Sequence, residues 1–276
     1  MRVPFTKMHG LGNDFVMLDA RERTLPPVTG PVAAALADRR TGIGCDQLIL
    51  LQPASADAPG ADFRMRIFNS DGSEVQSCGN AARAVALLHG SDAAVETAGG
   101  TIRVSPRDAG AEVDMGAPRF DWDDIPLAYA MDTAAMPVGW PYAGGTMHNP
   151  AAVNVGNPHV VFFVEDAYAV PLAEVGPDIE TDALFPERIN VNVASVSSGE
   201  LTLRVWERGT GLTRACGTGA CATAVAAIRR GLVQSPVTVH LPGGALTIAW
   251  QQGGTIMMTG PAQTAFTGSF EWEDFA

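Results

Sequence analysis

Residues 77–90 read SCGNAARAVALLHG, and residues 215–231 read ACGTGACATAVAAIRRG. In each stretch a Cys-Gly pair is followed directly by a run of alanine and aliphatic residues that a glycine ends, which predicts helices over residues 80–89 and 218–230. Neither helix has the polar face of a surface helix. We therefore expect each helix to be buried against a β-sheet, and this pair of buried helices decides the fold.

The two stretches belong to an internal repeat that divides the chain near its middle. The matched segments are, in chain order, 11–13 with 155–157, 65–69 with 203–207, 77–80 with 215–218, and 97–102 with 241–246. Because several segments match in one order, a chance similarity is a poor explanation. Two halves of similar structure are therefore predicted, with Cys78 and Cys216 at equivalent positions.

The remaining pattern consists mostly of short strand-like runs bounded by glycine, proline and aspartate. Such runs include residues 63–68, 101–105, 201–206 and 245–250. A further helix is predicted over residues 31–40, because Pro31 suits a first turn and Gly42 follows the end. The predicted fold class is α/β (α+β): two pseudo-symmetric halves, each a curved, mostly antiparallel sheet wrapped around its central helix, with the active site in the cleft between them.

The expected domain organisation follows from the repeat. Residues 1–120 form the N-terminal half, and the C-terminal tail, residues 264–276, packs back on it. Residues 121–150 form a linker and a first strand region. Residues 151–263 form the C-terminal half.

Composition excludes several classes of partner. The 276 residues carry a formal net charge of −12 at pH 7, whereas a protein that binds nucleic acid or an anionic membrane surface needs clustered lysine and arginine. The longest apolar runs fall far short of the roughly 20 residues that a membrane-spanning helix needs. The N-terminal residues carry no apolar signal-peptide core. The expected location is the cytoplasm, with no nucleic acid and no membrane as partner.

Four cysteines are present, and none lies at a CxxC or CxxH spacing, which argues against a disulfide framework and a zinc site. Cys45 and Cys221 are interpreted as small buried apolar residues. Cys78 and Cys216 lie where a loop meets a helix N-terminus, and there the helix dipole and unpaired N–H groups favour a thiolate. One thiolate and one thiol on opposite sides of a carbon could invert that carbon by exchanging its proton. Neither a metal nor an organic cofactor is expected.

The same helix N-termini predict anion sites. The N–H groups around Gly79-Asn80 and Gly217-Thr218 would hold a carboxylate whose negative charge grows as the adjacent carbon loses its proton. The sequence therefore indicates a substrate with a carboxylate beside the inverted carbon.

Four motifs together resemble the diaminopimelate epimerase family. They are Gly12-Asn13-Asp14-Phe15, the segment 69–74 leading to Cys78-Gly79-Asn80, Gly156-Asn157-Pro158-His159, and Glu207-Arg208-Gly209 leading to Cys216-Gly217-Thr218-Gly219. The resemblance implies cofactor-independent, two-base epimerisation of LL-2,6-diaminopimelate to the meso isomer, for lysine and peptidoglycan precursor biosynthesis, by a homodimer. One departure is Ala81, where many members carry glycine; alanine is compatible with the first turn of a helix.

The resemblance also assigns roles to residues. It implies four catalytic residues: Cys78, Cys216, His159 and Glu207, of which the last two assist proton transfer. The implied substrate-binding residues are Asn13, Gln47, Asn69, Gly79, Asn80, Asn157, Asn190, Glu207, Arg208, Gly217 and Thr218. Arg208 suits the distal carboxylate of the substrate, because a guanidinium can bind a carboxylate through two parallel hydrogen bonds.

Two other functions are compatible with paired activated thiols. A proline or hydroxyproline racemase-like isomerase of the same fold would share the acid–base pair, although the asparagine-rich set with Arg208 favours a long dicarboxylate over a ring. A redox-sensing dithiol protein could join the two sulfurs in a reversible disulfide. Exchange of the substrate α-proton with deuterated solvent separates both isomerases from the sensor.

Overall fold

A computed structural model describes residues 1–75, 78–108 and 110–275. Ser77 of the first cysteine motif and Ala276 of the expected tail lie outside the described residues. The chain forms two compact units, of which the first contains Met1–Val113 together with Gly260–Ala276, and the second contains Asp114–Thr259. Within the described part of the chain, no helix is long and apolar enough to span a membrane.

The first unit begins with eight strands and two helices. In chain order these are β1 (Arg2–Gly10), β2 (Asn13–Asp19), α1 (Gly30–Ala37), β3 (Gln47–Pro53), β4 (Phe63–Asn69), β5 (Glu74–Val75), α2 (Gly79–His89), β6 (Ala93–Thr97), β7 (Gly100–Arg107) and β8 (Gly110–Asp114). The predicted central helix of this unit is confirmed as α2.

The second unit contains ten strands and two helices within its described residues. They are β9 (Gly139–Tyr142), β10 (Gly145–His148), β11 (Ala151–Asn154), β12 (Pro158–Phe163), α3 (Leu172–Glu180), β13 (Asn190–Ser197), β14 (Glu200–Glu207), β15 (Gly211–Thr213), α4 (Gly217–Arg229), β16 (Val237–Leu241), β17 (Gly244–Ala249) and β18 (Met257–Gly260). The hairpin β9–β10 lies in the region 121–150, which belongs to this unit.

The last strand of the chain returns to the first unit. Strand β19 (Gln263–Glu271) pairs antiparallel with β1, and a short 3₁₀ turn, Trp272–Asp274, follows it. The backbone N–H of Trp272 donates to the carbonyl of Met1 at 2.9 Å. The first unit is therefore built from both ends of the sequence.

The two units share one pairing scheme. In the first unit β1–β2, β3–β4, β4–β5 and β6–β7 pair antiparallel, while β2–β3 and β4–β6 pair parallel. In the second unit β11–β12, β13–β14, β14–β15 and β16–β17 pair antiparallel, while β12–β13 and β14–β16 pair parallel. The prediction of an α+β fold with two pseudo-symmetric, mostly antiparallel halves is confirmed.

The central helices are buried, as their sequences predict. Every residue of α2 from Asn80 to Ala86 is buried, and α4 is buried over most of its length and packs against strands β11 to β14, β16 and β17. Helix α2 ends at Gly90, which adopts the left-handed conformation (φ 82°) that an L side chain disfavours. Both helices begin one residue earlier than predicted.

The outer helices were predicted less well. Helix α1 ends at Ala37 rather than at residue 40, because the carboxylate of Asp38 accepts the backbone N–H groups of Arg40 and Thr41 and turns the chain. Helix α3 was missed because Pro177 lies inside it.

Alternate residues on the inner strands face opposite layers. In the second unit Val160 and Phe162 of β12 and Val191 and Val193 of β13 join the core that also contains Leu172 and Ile179 of α3. Because side chains alternate along a strand, His159, Asn190 and Asn192 point to the opposite face, on which α4 packs. In the first unit the same alternation directs Val16, Leu18, Leu48 and Leu50 to the core that contains α1. The face toward α4 is therefore where the polar residues of the second unit collect.

Candidate active site

Cys78 caps the N-terminus of α2. Its backbone is extended (φ −150°, ψ 108°), and its sulfur accepts the backbone N–H of Ala81 at 3.4 Å. The side-chain oxygen of Asn13 lies 3.9 Å from the sulfur and also accepts a hydrogen bond from the amide of Asn80 at 3.2 Å. The half-buried Cys78 therefore sits beside Asn13, with Gly79 and Asn80 as the first residues of the helix.

Charged side chains hold both Asn13 and Asn80 in place through hydrogen bonds. The amide nitrogen of Asn13 donates to the carboxylate of Asp46 at 3.0 Å, and the buried Arg83 donates to the side-chain oxygen of Asn80 at 2.8 Å. A carboxylate can only accept and a guanidinium can only donate, so these two contacts decide the orientation of each amide. Asp46 and Arg83 were not identified from the sequence.

A cluster of charges fixes Asp46 in turn. Arg39 donates to both Asp46 (2.7 Å) and Asp14 (2.6 Å), and Lys7 donates to Asp14 at 2.5 Å. Burial alone would raise the pKa of Asp14, but the hydrogen bonds from Arg39 and Lys7 outweigh burial and hold that pKa well below its usual range. Asp14 of the Gly-Asn-Asp-Phe motif is thus an ionised structural support.

Gln47 and Asn69 lie opposite each other on β3 and β4. The amide nitrogen of Gln47 donates to the oxygen of Asn69 at 3.2 Å, and the nitrogen of Asn69 donates to the hydroxyl of Ser73 at 3.2 Å. Among the described residues, nothing forms a hydrogen bond with the buried oxygen of Gln47. Since a buried polar atom without a partner is costly, this oxygen can accept a hydrogen bond from a bound molecule.

Cys216 occupies the equivalent position at the start of α4. Its backbone is again extended (φ −129°, ψ 109°), and its sulfur accepts the backbone N–H of Gly219 at 3.3 Å. The hydroxyl of Thr218 lies 3.5 Å from the sulfur, and Gly217 is the first residue of the helix. Cys216 is more deeply buried than Cys78, with 4% of its surface exposed.

Burial changes the chemistry expected of Cys216. The helix N-terminus predicts a lowered thiol pKa, but burial and then the nearby carboxylate of Glu207 raise the pKa of Cys216 well above its usual range. The prediction of a readily formed thiolate is therefore wrong for this cysteine. The contacts of the sulfur with the backbone N–H of Gly219 and the hydroxyl of Thr218 do not compensate for the loss of hydration of the thiolate.

Glu207 lies at the end of β14, next to Cys216. Burial raises the pKa of Glu207, although hydrogen bonds from the hydroxyl of Thr213 and the thiol of Cys216 partly oppose that rise. The Thr213 oxygen is 2.6 Å from the carboxylate. Thr213 was not identified from the sequence.

His159 is completely buried, and both of its ring nitrogens have asparagine partners. Its Nε2 lies 3.0 Å from the side-chain oxygen of Asn157, and its Nδ1 lies 3.1 Å from the amide nitrogen of Asn192. Burial lowers the pKa of His159 to about 3, so the ring is neutral near neutral pH. A proton-carrying role would require one of these hydrogen bonds to break.

Asn190 and Arg208 meet where β13 begins and β14 ends. The side chain of Asn190 accepts the backbone N–H of Arg208 at 2.9 Å and donates to the carbonyl of Pro158 at 2.9 Å. The exposed guanidinium of Arg208 donates to the carbonyl of Glu187 at 2.9 Å. Asn190 therefore holds the backbone of Arg208, while the guanidinium itself remains accessible.

The structure thus gathers the predicted residues into one cluster in each unit. The first cluster contains Cys78, Gly79, Asn80 and Asn13 around the sulfur, with Gln47 and Asn69 paired on neighbouring strands. The second contains Cys216, Gly217, Thr218 and Glu207 around the sulfur. In the same unit Asn157 forms a hydrogen bond with His159, and Asn190 forms one with the backbone of Arg208. Cys45 and Cys221 are buried as predicted, and burial raises the pKa of Cys45 to about 11. Over the described residues, no group of three His, Cys, Asp or Glu side chains could hold a metal ion.

Sequence comparison identifies close relatives. A family model described as diaminopimelate epimerase matches residues 5–120 and 151–265. A diaminopimelate epimerase of Erythrobacter litoralis is 66% identical over 277 residues and covers 100% of both chains. A diaminopimelate epimerase of Sphingopyxis alaskensis is 61% identical over 272 residues, with 98% of both chains covered.

Solved structures of lower sequence similarity share the fold. A phenazine biosynthesis protein of the PhzF family from Bacillus anthracis superposes with a TM-score of 0.67 at 14% identity, covering 98% of this chain and 99% of that one. A hydroxyproline epimerase from Agrobacterium vitis gives a TM-score of 0.64 at 15% identity, covering 97% and 92%. At these identities the similarity establishes the fold alone.

The buried neutral His159 predicts a specific dependence of stability on pH. The folded pKa of about 3 lies below the value of about 6.5 in an unfolded chain. Between these values only the unfolded chain binds the proton, so the free energy of unfolding falls as pH decreases from about 6.5 toward 3, by about 1.4 kcal/mol per pH unit. His159→Gln should remove this slope, measured by urea denaturation at several pH values. The exposed His240, changed to glutamine, is the control; identical pH dependence in wild type and His159→Gln would contradict the prediction.

Proposed function

The chain belongs to the diaminopimelate epimerase family, and on this premise we propose that Cys78 and Cys216 are the two thiols that exchange a proton with opposite faces of one α-carbon. The protein is an amino-acid epimerase that converts LL-2,6-diaminopimelate to the meso isomer, a step in lysine and peptidoglycan precursor biosynthesis. One observation carries the assignment of the thiols. Two cysteines cap equivalent helices in two units of the same topology, and each sulfur accepts a backbone N–H.

The proton balance needs one thiolate and one thiol. The thiolate takes the α-proton, and the electron pair left on carbon is shared with the adjacent carboxylate as an enolate-like charge. The thiol then gives its proton to the opposite face, so the two cysteines finish with exchanged protonation states. The raised pKa of Cys216 favours its thiol form before substrate binds, which suits the acid role in one direction. In the other direction the roles reverse.

The helix N-termini stabilise the charge that develops. Backbone N–H groups in the first turn of a helix point at an anion and favour it through the helix dipole. The turns Gly79-Asn80 and Gly217-Thr218 begin α2 and α4. We assign these turns to the carboxylate beside the reacting carbon, because its charge increases as the proton leaves.

The remaining polar residues suit the distal end of the substrate, which carries a second carboxylate and a second amine. The exposed guanidinium of Arg208 can bind the distal carboxylate. The buried oxygen of Gln47, which has no hydrogen-bond partner in the described part of the chain, can accept from an ammonium group. Asn13, Asn69, Asn157 and Asn190 complete the proposed substrate-binding set. Glu207 supports the protonation state of Cys216, and His159 holds Asn157.

The two-thiol mechanism is tested by replacing each cysteine in turn. Cys78→Ala and Cys216→Ala should each abolish conversion of LL- to meso-diaminopimelate, because one face of the carbon then lacks an acid or a base. In deuterated solvent, at most one isomer should slowly exchange its α-proton without inversion. Chiral chromatography and mass spectrometry measure both outcomes.

Cys45→Ala and Cys221→Ala are matched controls, because both residues are buried cysteines outside the proposed chemistry. They should retain epimerisation and solvent exchange. Near-normal epimerisation by Cys78→Ala or Cys216→Ala would exclude the two-base mechanism. A wild-type protein that inverts free proline but not diaminopimelate would favour the racemase-like alternative, and absence of α-proton exchange with every amino acid tested would favour a redox-sensing dithiol.

The choice of a long dicarboxylate is tested at Arg208. Arg208→Lys should raise the apparent KM for diaminopimelate roughly tenfold or more, because a point charge replaces a two-pronged contact worth about 1.5–3 kcal/mol. Steady-state kinetics provide the measurement, and the exposed Arg103, changed to lysine, is the control. Unchanged KM and kcat in Arg208→Lys would remove this residue from the substrate site.

We also propose that the cytoplasmic enzyme acts as a homodimer. Strand β19 is exposed from Gln263 to Thr267, and the aromatic ring of Phe266 within it is 51% exposed. Phe266→Glu should therefore shift the protein toward monomer in sedimentation velocity, whereas Tyr168→Glu, at a ring 59% exposed in the second unit, should not. A wild-type protein that is monomeric at concentrations where it is fully active would contradict the dimer.

A further inference from the structure

Asn192 is a buried polar residue that the proposed chemistry leaves without a role. It lies on β13 with no exposed surface, between Val161 of β12 and Val205 of β14. It shares the α4 face of the sheet with His159 and Asn190. A buried amide in the middle of a sheet is costly unless it is hydrogen-bonded, so its contacts indicate what it does.

The orientation of the Asn192 amide is set by the backbone. Its nitrogen donates to the carbonyl of Val160 at 2.9 Å, and a carbonyl can only accept. The same nitrogen lies 3.1 Å from Nδ1 of His159. Since the nitrogen is a donor there too, Nδ1 must be the unprotonated acceptor of the ring. The proton of the neutral imidazole therefore resides on Nε2.

This tautomer determines the orientation of Asn157. The Nε2–H group of His159 faces the side-chain oxygen of Asn157 at 3.0 Å, and only that end of the amide can accept. The NH2 group of Asn157 therefore points away from the ring. At the repeat-equivalent position the arrangement is reversed, because the NH2 group of Asn13 donates to Asp46 and its oxygen faces Cys78 and Asn80. Two equivalent asparagines thus present opposite ends of their amides.

Close packing keeps Asn192 in place. Its side-chain oxygen is buried, and no described residue forms a hydrogen bond with it. A Cβ atom built on Gly219 would lie 2.7 Å from this oxygen and 3.0 Å from a methyl carbon of Val205. The first turn of α4 therefore contacts the Asn192 side chain at Gly219, the residue whose N–H donates to the sulfur of Cys216.

We propose that Asn192 is a positioning residue for the epimerisation: its NH2 group fixes His159 as the Nε2–H tautomer, and the ring then turns the NH2 group of Asn157 toward the substrate. This role rests on the proposed function, since Asn157 is a substrate-binding residue only if the family reaction is the reaction of this protein. Asn157 then supplies a hydrogen-bond donor, for an acceptor such as a carboxylate oxygen, where Asn13 supplies an acceptor.

The tautomer can be measured without substrate. In protein labelled with ¹⁵N-histidine, the wild-type spectrum should show His159 with a protonated Nε2 and an unprotonated Nδ1, assigned by the signals lost in His159→Gln. Asn192→Asp replaces the donor with a carboxylate, which should place a proton on Nδ1. Thr223→Val is the matched control, because Thr223 is also completely buried in the same unit and no described residue forms a hydrogen bond with its side-chain oxygen. It should leave the His159 signals unchanged.

Kinetics test whether the tautomer matters for the reaction. Asn192→Asp should reduce kcat/KM for diaminopimelate on the order of tenfold or more, the expected effect of one misdirected hydrogen-bonding group, whereas Thr223→Val should change it little. A wild-type spectrum with a protonated Nδ1 would overturn the inference even if Asn192→Asp does not fold. A changed tautomer with unchanged kcat/KM would overturn the positioning role. Wild-type protein with the expected tautomer but no epimerisation would instead refute the proposed function.

Discussion

A sulfur atom that caps a buried helix is the contact on which the proposed site depends in both units. N-cap positions usually carry serine, threonine, aspartate or asparagine, whose oxygen accepts an N–H of the first turn. Here the sulfurs of Cys78 and Cys216 accept that bond from Ala81 and Gly219. The contact needs a helix that begins at the reacting group and is held rigidly by its surroundings. Alanine-rich helices packed against a sheet satisfy both requirements, since small side chains permit close approach.

The two units share a topology but differ in the residues beside their cysteines. In the first unit Phe15 pairs with Gln47, and in the second unit the equivalent pair is His159 with Asn190. Two residues further along the same strands, Ile49 in the first unit corresponds to Asn192 in the second. The first unit is thus apolar where the second contains a histidine–asparagine pair. Glu207 likewise replaces Asn69 in the repeat. Burial is the main cause of the raised pKa of Cys216, and the carboxylate of Glu207 raises that pKa further. Equivalent backbones therefore hold thiols in unequal environments.

Much of the fold and the cysteine positions could be predicted from the sequence, because the repeat and the glycine-bounded apolar runs are local patterns. Helix α3 could not be predicted from the sequence, because Pro177 inside it is a residue that normally interrupts a helix. The helix packs through contacts that are distant in sequence, such as Trp206 against Gly176. The pKa of Cys216 depends on burial and on a residue from another strand, which no local pattern contains. Asp46 and Arg83 orient Asn13 and Asn80, and these side-chain contacts leave no pattern in the sequence. Asn192 left a weak signal, since it follows Asn190 at the spacing of two that places both on one face of a strand.

The pairing of β19 with β1 has a consequence for synthesis on the ribosome. The second unit is continuous in sequence, so all of its residues leave the ribosome before β19 does. Strand β1 of the first unit can pair with β2 early, but it lacks its second partner until residues 263–271 emerge. Because domains fold during translation as their sequences become complete, the second unit can mature first and the first unit only at the end. A translation product truncated before residue 263 would leave one edge of β1 unpaired, and an unpaired strand edge favours association with other chains.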